Sequence, residues 1–435
     1  MTIRHAVVGA LAAFLIAAAP PAEYQGLEDE LNMTAERYVK LVLALGVHDP
    51  GYVDAYYGPE AWQTDIDANT PSLEAIAGEA ADLKKELERL DYRGAEEILQ
   101  LRLQYLTKQL GALGARVMML QGKKMTFDEE SKALYDAVAP THPASYFDAT
   151  IRALDELLPG DGSVSERLAK FQEEFVIPRD RLDPVFNAAI DECRKRTKVH
   201  MDLPDDENFR VEYVNDKPWS AYNWYKGNGY SLIQVNTDLP IRISRAIDLA
   251  CHEGYPGHHV YNAMLEKHLA RERGWVEFSV YPLYSPQSLI AEGSANFGIE
   301  VTFPGNERIE FEKEVLFPLA GIDPARAEVY YRVEELVSDL GYAGNEAARE
   351  YLDGKIDRAE AEKWLVDHAL MTEERAAQRV RFIDTYRAYV INYNLGQDLV
   401  RNYIEKRGGT SDDPERRWRE FTELLASPRL PSGLQ

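Results

Sequence analysis

His-Glu-Gly-Tyr-Pro-Gly-His-His, residues 252–259, is the stretch that decides how the rest of the chain is interpreted. It holds three of the nine histidines, and an acidic residue, Glu253, follows the first of them, His252. A zinc hydrolase needs neutral imidazoles that hold the metal and a nearby carboxylate that takes a proton from water. The stretch has the form of the helical zinc motif H-E-x-x-H with Pro256 and Gly257 inserted. It therefore predicts a zinc site.

The insertion means that a regular helix cannot present these histidines to one ion. Six residues turn an ideal helix by about 600°, so His252 and His258 would point to different faces. His252 and His259 would share a face but lie roughly 10 Å apart along the axis, too far to bind one ion. Pro256 interrupts helical hydrogen bonding, and Gly257 relaxes the backbone further. We predict a bulge or break that brings His258 beside His252, with His259 as the rival ligand.

A third protein ligand is needed to complete a catalytic zinc site. Glu292 lies in the otherwise small and apolar segment 289–296, where an unpaired buried carboxylate would cost free energy unless a metal compensated it. Glu300, eight residues later, is the alternative. Asp248, one turn before His252, could accept the second imidazole N–H, but such an acid more often lies on the helix surface, so it is not among the predicted site residues.

Composition indicates a soluble globular protein with an acidic surface. The chain has 435 residues, of which 45% are hydrophobic and 28% charged, and its formal net charge is −24. This charge argues against nucleic acid and anionic membrane surfaces as partners. The two cysteines, Cys193 and Cys251, are too few for a disulfide framework, and whether they pair stays open, as does the oligomeric state.

The first residues have the pattern of an export signal. Arg4 and His5 precede an apolar run, residues 6–20, whose length and small-residue end are typical of a secretory signal and short for a membrane span. We predict a signal peptide over residues 1–22 and a single helical zinc-hydrolase-like domain over residues 23–435. The protein would then be periplasmic or secreted; the rival interpretation is one uncleaved anchor helix.

Most of the remaining chain has the apolar periodicity of amphipathic helices. The segments predicted to be helical are residues 73–90, 95–121, 127–138, 143–158, 164–176, 184–197, 239–268 and 286–300, and most of 324–425. Two alternating runs, residues 209–214 and 231–236, flank a glycine-rich turn at 227–229 and predict a β-hairpin next to the metal-binding helix. The hairpin could bind an extended peptide or simply cover the core. The predicted fold class is mostly α.

Several segments resemble the domain-of-unknown-function 885 family. Residues 252–259 resemble its H-E-x-x-P-G-H-H signature, and Glu-Gly-Ser-Ala at 292–295 resembles its E-G-W-A segment, with Ser294 in place of tryptophan. Residues 385–396 resemble its T-Y-P-G-Q-x-x-x-Y-x-x-G segment, although Arg-Ala-Tyr at 387–389 replaces Pro-Gly-Gln.

The early segment 52–59, Tyr-Val-Asp-Ala-Tyr-Tyr-Gly-Pro, also resembles members of this family, so the likeness spans nearly the whole mature chain. The family is similar to helical zinc metallopeptidases of the carboxypeptidase Taq and oligopeptidase kinds. The resemblance implies a multi-helical metallopeptidase-like fold with a cleft between two lobes. It also implies zinc on His252, His258 and Glu292, and it indicates Tyr393, in the Y-x-x-G segment, as a hydrogen-bond donor to the oxyanion.

Glu253 completes the predicted mechanism, because it can take a proton from the attacking water and deliver it to the leaving amine. We therefore predict a zinc-dependent hydrolase, a metallopeptidase whose partner is a peptide substrate. A zinc hydrolase of small non-peptide esters or amides stays open, as do a catalytically inactive peptide-binding scaffold and a metal-free helical module. An inactive scaffold is expected to lack the acid after the first histidine, whereas Glu253 is present.

Overall fold

The computed structural model describes residues 25–435, and most of them lie in helices. The prediction of a mostly α fold is therefore confirmed. No helix among the described residues is long and apolar enough to span a membrane. The predicted signal peptide, residues 1–22, lies outside the described residues.

Eight α-helices precede the central sheet in the described chain, together with short 3₁₀ turns. Helices α1 to α8 span Gln25–His48, Glu60–Ala68, Leu73–Leu87, Glu97–Leu120, Phe127–Tyr135, Asp148–Leu157, Val164–Glu173 and Leu182–His200. Local signals explain several of their starts: Thr126 and Ser163 each form a capping box with a glutamate three residues later. The helix starts predicted at residues 73, 127 and 164 are confirmed.

The helices that follow the sheet are more irregular. Helices α9 to α19 span Ser244–Leu249, His258–Leu265, Pro286–Thr302, Glu307–Phe311, Phe317–Ala320, Ala327–Ser338, Ala343–Leu352, Arg358–His368, Glu373–Tyr386, Ile391–Lys406 and Pro414–Leu425. Turns of π-helix occur at Ala250–Gly254, Glu266–Arg271 and Glu312–Leu316. The helical segment predicted over 239–268 is interrupted between the π-helical turn Ala250–Gly254 and α10, where Pro256 and Gly257 lie.

Two small sheets accompany the helices. Strands β1 to β5 span Val53–Tyr56, Asn208–Val214, Ala221–Tyr225, Tyr230–Asn236 and Val280–Pro282. Strands β1 and β5 pair antiparallel, and the other sheet has the order β2-β4-β3. The predicted hairpin exists, but it joins β3 to β4, whereas β2 lies parallel to β4 on its other side. The predicted pairing of 209–214 with 231–236 as a hairpin is therefore wrong.

The physical reason lies in the turn and in the composition of β3. Positive φ angles at Gly227, Asn228 and Gly229 allow a tight reversal, so the strand directly before this turn pairs with β4. That strand reads Ala-Tyr-Asn-Trp-Tyr and does not alternate between apolar and polar residues. Its aromatic residues are common in strands, but without alternation the segment was not predicted as one.

Helices α11 and α18 cross backbone to backbone beside the largest hydrophobic core. A methyl group on Gly293 of α11 would lie 2.3 Å from the carbonyl carbon of Gly396 on α18, so neither glycine leaves room for a side chain. This close crossing brings Glu292, next to Gly293, into contact with side chains of the segment that leads into α18.

Candidate metal centre

The segment that carries the histidines is irregular, as the insertion predicts. Helix α9 passes into the π-helical turn Ala250–Gly254, which holds His252, and α10 begins at His258. Between them the N–H of Gly257 donates to the carbonyl of Cys251 at 2.9 Å. A methyl group on Gly257 would lie 1.8 Å from the carbonyl oxygen of His252, so only glycine fits where the chain turns back. The predicted break is confirmed, and it places His258 beside His252.

Three side chains converge at this break. Nε2 of His258 lies 3.1 Å from Nε2 of His252. Oε2 of Glu292 lies 3.1 Å from Nε2 of His252 and 3.5 Å from Nε2 of His258. Two atoms that bind one zinc ion tetrahedrally at 2.0–2.1 Å are separated by about 3.3 Å. The three atoms therefore have the separations of a candidate metal site.

The surroundings of Glu292 fit a cation at this place. Its Oε1 accepts a hydrogen bond of 2.7 Å from the hydroxyl of Tyr389, whereas its Oε2 is buried and has no hydrogen-bond partner among the described residues. A buried carboxylate oxygen without a partner is costly, and a bound cation would satisfy it. Two imidazoles with one carboxylate are also the ligand set of many zinc hydrolases.

The charges around the cluster favour a cation as well. Burial lowers the pKa of His258, but the negative charges of Glu292, Glu253 and Asp54 outweigh it and raise that pKa to about 9. Burial raises the pKa of Glu292, but His258 and His252 hold it far below its usual range. Each carboxylate thus stabilises positive charge on the imidazoles, and a metal ion would supply that charge without the proton.

Asn296 orients the first imidazole. Its side-chain amide donates to the carbonyl of Tyr393 at 3.0 Å, so its Oδ1 faces Nδ1 of His252 at 2.8 Å. An amide oxygen can only accept, so the proton of His252 is on Nδ1 and the lone pair of Nε2 faces the cluster. Asp248 does not accept the Nδ1 proton of His252, because its carboxylate is paired with Arg308 at 2.8 Å and with Arg245 at 3.2 Å.

Two supporting residues, Asn296 and Tyr389, were missed by the sequence analysis. Asn296 lies one helical turn after Glu292, and this spacing could have placed it on the same face of α11. Tyr389 lies in the segment 387–389, which departs from the family pattern. Only the structure shows that its hydroxyl donates a hydrogen bond to Glu292. Asp54, which accepts a hydrogen bond from Tyr222, was also missed, although it lies in the segment 52–59.

The two rival ligands point elsewhere. His259 is fully buried; its Nε2 donates to Oε2 of Glu207 at 3.0 Å, and its Nδ1 lies 2.8 Å from the hydroxyl of Ser231. Glu300 is partly exposed, and its carboxylate accepts hydrogen bonds from Gln397, at 2.9 Å, and from Arg401. Neither side chain takes part in the cluster.

Glu207 holds the buried side of the motif in place. Its side chain is fully buried and accepts hydrogen bonds or ion pairs from Arg194, Lys198, Tyr255 and His259. Burial alone would raise the pKa of Glu207, but the hydrogen bonds from these partners outweigh it and lower that pKa to about 2. This carboxylate therefore stabilises the fold in its charged form.

We expect Glu207→Gln to lower the free energy of unfolding by about 3 kcal/mol at neutral pH, the scale for breaking a buried charge network. Because the folded-state pKa is depressed, the stabilisation is complete above the unfolded value near 4.3 and is lost as pH falls towards 2. Urea unfolding of wild type and Glu207→Gln at pH 7, 5 and 3 measures the difference in free energy of unfolding. Glu173→Gln, a substitution of an exposed glutamate, is the matched control. An equal difference between wild type and Glu207→Gln at pH 7 and pH 3 would contradict this role.

The cluster opens onto a cavity of about 720 Å³. Glu253, 5% exposed, lines it next to the cluster, and so does Tyr393, whose ring is stacked on His252 with 6.4 Å between centroids and 23° between planes. Residues 218–223, which include most of β3, line the cavity too. Cys193 and Cys251 are buried free thiols with 2.8 Å between their sulfur atoms.

No protein-family model and no curated protein matches the chain, so the resemblance to the domain-of-unknown-function 885 family stays a prediction. Among solved structures, the chain is similar to a lipoprotein candidate from Colwellia psychrerythraea, with a TM-score of 0.51 and 14% identity over 85% of this chain and 67% of that one. A lipoprotein candidate of unknown function from Shewanella oneidensis has a TM-score of 0.45 and 13% identity over 86% and 75%. An M32 carboxypeptidase from Deinococcus radiodurans R1 has a TM-score of 0.43 and 14% identity over 93% and 91%. The first of these similarities concerns the fold alone, so the function has to be argued from the centre itself.

Proposed function

We propose that the protein is a zinc-dependent hydrolase that cleaves peptide bonds. The observation that carries this proposal is the convergence of two imidazole nitrogens and one unpartnered carboxylate oxygen at the edge of a cavity. The buried carboxylate of Glu253 lies next to them, where a general base is needed.

His252, His258 and Glu292 would hold the zinc ion, which polarises the substrate carbonyl and lowers the pKa of water when it is bound. Asn296 keeps the proton of His252 on Nδ1, so that Nε2 remains free as a ligand. Glu253 accepts the proton of the attacking water and passes it to the leaving nitrogen. Each proton thus moves through a group of this chain.

Tyr393 is suited to stabilise the negative charge that develops on the carbonyl oxygen. Its ring lies against His252, and its hydroxyl makes no hydrogen bond with residues 25–435, so the hydroxyl can donate to a substrate. The neighbouring Tyr389 is not free in this way, because its hydroxyl is held by Glu292.

The free edge of β3 favours a peptide over a small ester. The strand has β4 on one side only. The backbone N–H of Asn236 donates to the carbonyl of Ser220, and that of Lys226 donates to the carbonyl of Tyr230, so the backbone groups of the even-numbered residues of β3 face β4. Backbone groups alternate in an antiparallel ladder, so those of Ala221 and Asn223 point away from β4. An extended substrate could pair with them along the cavity, as peptides do at other sheet edges.

We also propose that the protein is exported, with residues 1–22 as its signal. The apolar run after Arg4 supports this, and the similar Colwellia psychrerythraea protein is described as a lipoprotein candidate. An exported hydrolase would meet its peptide substrate outside the cytoplasm.

Metal removal tests the proposed activity. Protein purified without chelator is expected to contain about one zinc ion per chain, because the ligand set is of the usual catalytic type. Chelation should abolish the hydrolysis of a mixed peptide library, and added zinc should restore it. Elemental analysis measures the zinc content, and mass spectrometry measures peptide cleavage. Hydrolysis of small esters without any peptide cleavage would favour the non-peptide alternative, and peptide binding without cleavage would favour an inactive scaffold.

A further inference from the structure

Arginine side chains line the cavity beside the candidate metal centre. They are Arg242, Arg245, Arg308, Arg375 and Arg379. Asp248 neutralises part of this charge, since it pairs with both Arg245 and Arg308. The carboxylates of Asp54, Glu253, Glu292 and Glu300 line the cavity too, so the question is which arginines remain without a partner of opposite charge.

Two of these arginines have few partners of opposite charge. The nearest carboxylate oxygen to Arg242 is that of Glu334 at 4.0 Å, and the buried Nε of Arg242 has no hydrogen-bond partner among the described residues. Arg375 donates to the carbonyl of Pro240 at 3.1 Å and forms no ion pair within residues 25–435. Burial, together with the charges of Arg242 and Arg245, lowers the pKa of Arg375 to about 10. Arg242 and Arg375 therefore lack a close carboxylate partner among the described residues.

Arg379 has neither an ion pair nor a hydrogen bond with any residue that the structure describes. Its guanidinium lies over the ring of Phe382, 5.1 Å from the centroid, and close to the backbone of Gly344. Its Nε is buried without a partner, and burial lowers the pKa of the group. An uncompensated buried charge is costly, so a site that keeps one is expected to pair it with something that binds.

Tyr393 connects this guanidinium to the metal centre. Its ring is stacked on His252 and also lies 6.1 Å, centroid to centroid, from the ring of Phe382, over which the Arg379 guanidinium lies. A group bound to Arg379 would therefore lie beside the residue that is placed to contact the scissile carbonyl. No carboxylate of the described chain fills this position.

We propose that Arg379 binds a carboxylate of the substrate, so that the centre acts on peptides that carry a negative charge close to the scissile bond. This inference rests on the proposed peptidase function and narrows it to a substrate class. The planar guanidinium of an arginine can donate two parallel charge-assisted hydrogen bonds to one carboxylate, which fix the position and the orientation of that carboxylate. Arg375 and Arg242 add long-range attraction for the same anion.

The carboxylate can come from two sources, the free C-terminus of a peptide or an aspartate side chain. Three N-acetylated peptides of one length distinguish them: a free acid, its C-terminal amide, and an amide with aspartate in place of the last residue. Wild type is expected to cleave a carboxylate-bearing peptide with a kcat/KM about 30-fold above that of the uncharged amide, the scale of hydrogen bonds to a charged group. Preference for the free acid indicates the C-terminus, and preference for the aspartyl amide indicates the side chain.

Arg379→Gln should reduce this ratio to about one, mainly by raising KM for the charged peptide, while Arg379→Lys should keep part of it. Arg381→Gln, an exposed arginine on the same helix, is the matched control and should keep the full ratio. Zinc content and melting temperature are recorded for each variant to exclude misfolding. A wild type that cleaves the acid and the amide equally well, or an Arg379→Gln protein that keeps the preference, overturns the proposal.

A binding measurement separates this inference from the proposed hydrolysis. Calorimetric titration of the Glu253→Gln protein and of the double variant Glu253→Gln/Arg379→Gln with the same three peptides needs no turnover. About 30-fold tighter binding of a charged peptide, lost in the double variant, supports the carboxylate site even if wild type cleaves no peptide. Equal affinities for charged and uncharged peptides overturn the carboxylate site even if peptides are cleaved.

Discussion

Glu253→Gln is expected to keep the zinc and the fold of the wild type while its peptide hydrolysis falls by at least about 10²-fold, the usual scale for the loss of a general base. Glutamine has the size and hydrogen-bonding capacity of glutamate but cannot take up the proton of the attacking water. Glu253 itself lies outside the cluster of three converging side chains, so its replacement leaves those ligand atoms in place. Elemental analysis, thermal unfolding and steady-state kinetics on the same preparation measure the three quantities.

The combination of results matters more than any one of them. Loss of zinc in Glu253→Gln would make this residue a ligand and would contradict the alignment of residues 252–259 with a zinc motif. Retention of both zinc and activity would mean that another group takes the proton. Asp54 would then be the next residue to test, because it lines the same cavity and burial raises its pKa to about 6.

The adjacent pair His258→Ala and His259→Ala should give opposite results. His258→Ala removes one of three proposed ligands, and zinc affinity should fall by more than about 100-fold, beyond the loss seen when only a supporting residue is removed. The fold should stay near that of the wild type, because the His258 side chain lies at the cavity and not in the core. Peptide hydrolysis should disappear with the metal.

His259→Ala should instead destabilise the protein while leaving the three converging atoms in place. Its imidazole lies between Glu207 and Ser231, and its removal leaves the buried carboxylate with one donor fewer, a change worth about 1–3 kcal/mol. Zinc titration and urea unfolding of both variants measure the contrast. Loss of zinc from His259→Ala alone, with full retention in His258→Ala, would move the ligand to His259 and contradict the arrangement of side chains described above.

The proposed centre depends on glycine at two places as much as on its ligands. Gly257 lets the chain turn back against the carbonyl of His252, and the pair Gly293 and Gly396 lets α11 and α18 touch. The second contact brings Tyr389 to Glu292, and it also brings the carbonyl of Tyr393 to Asn296. The orientation of two of the three converging side chains therefore depends on helix packing remote in sequence.

The amino-acid sequence by itself determined the types of residue at the centre and the irregularity of the segment that holds them. The spacing of His252 and His258 is incompatible with a regular helix, so Pro256 and Gly257 had to mark a break. Apolar periodicity likewise located most helices, because a helix at the surface of a core must repeat every 3.6 residues. These are local properties, and local sequence is enough to predict them.

Only the tertiary structure decided which of two adjacent histidines faces the cavity. His258 and His259 have the same chemistry, and their directions are set by what packs against each: Glu292 for the first, and Glu207 with Ser231 for the second. The position of Glu292, and not Glu300, beside the two imidazoles has the same origin, because Arg401 on α18 pairs with Glu300.

The strand β3 and the unpaired state of Arg379 also belong to the tertiary structure. Ala-Tyr-Asn-Trp-Tyr becomes a strand because β4 follows it through a tight turn, and its own composition does not require this. No pattern along the chain shows that an arginine lacks a carboxylate partner, because ion pairs form between residues far apart in sequence. Sequence determines which groups are available, whereas packing determines which of them meet.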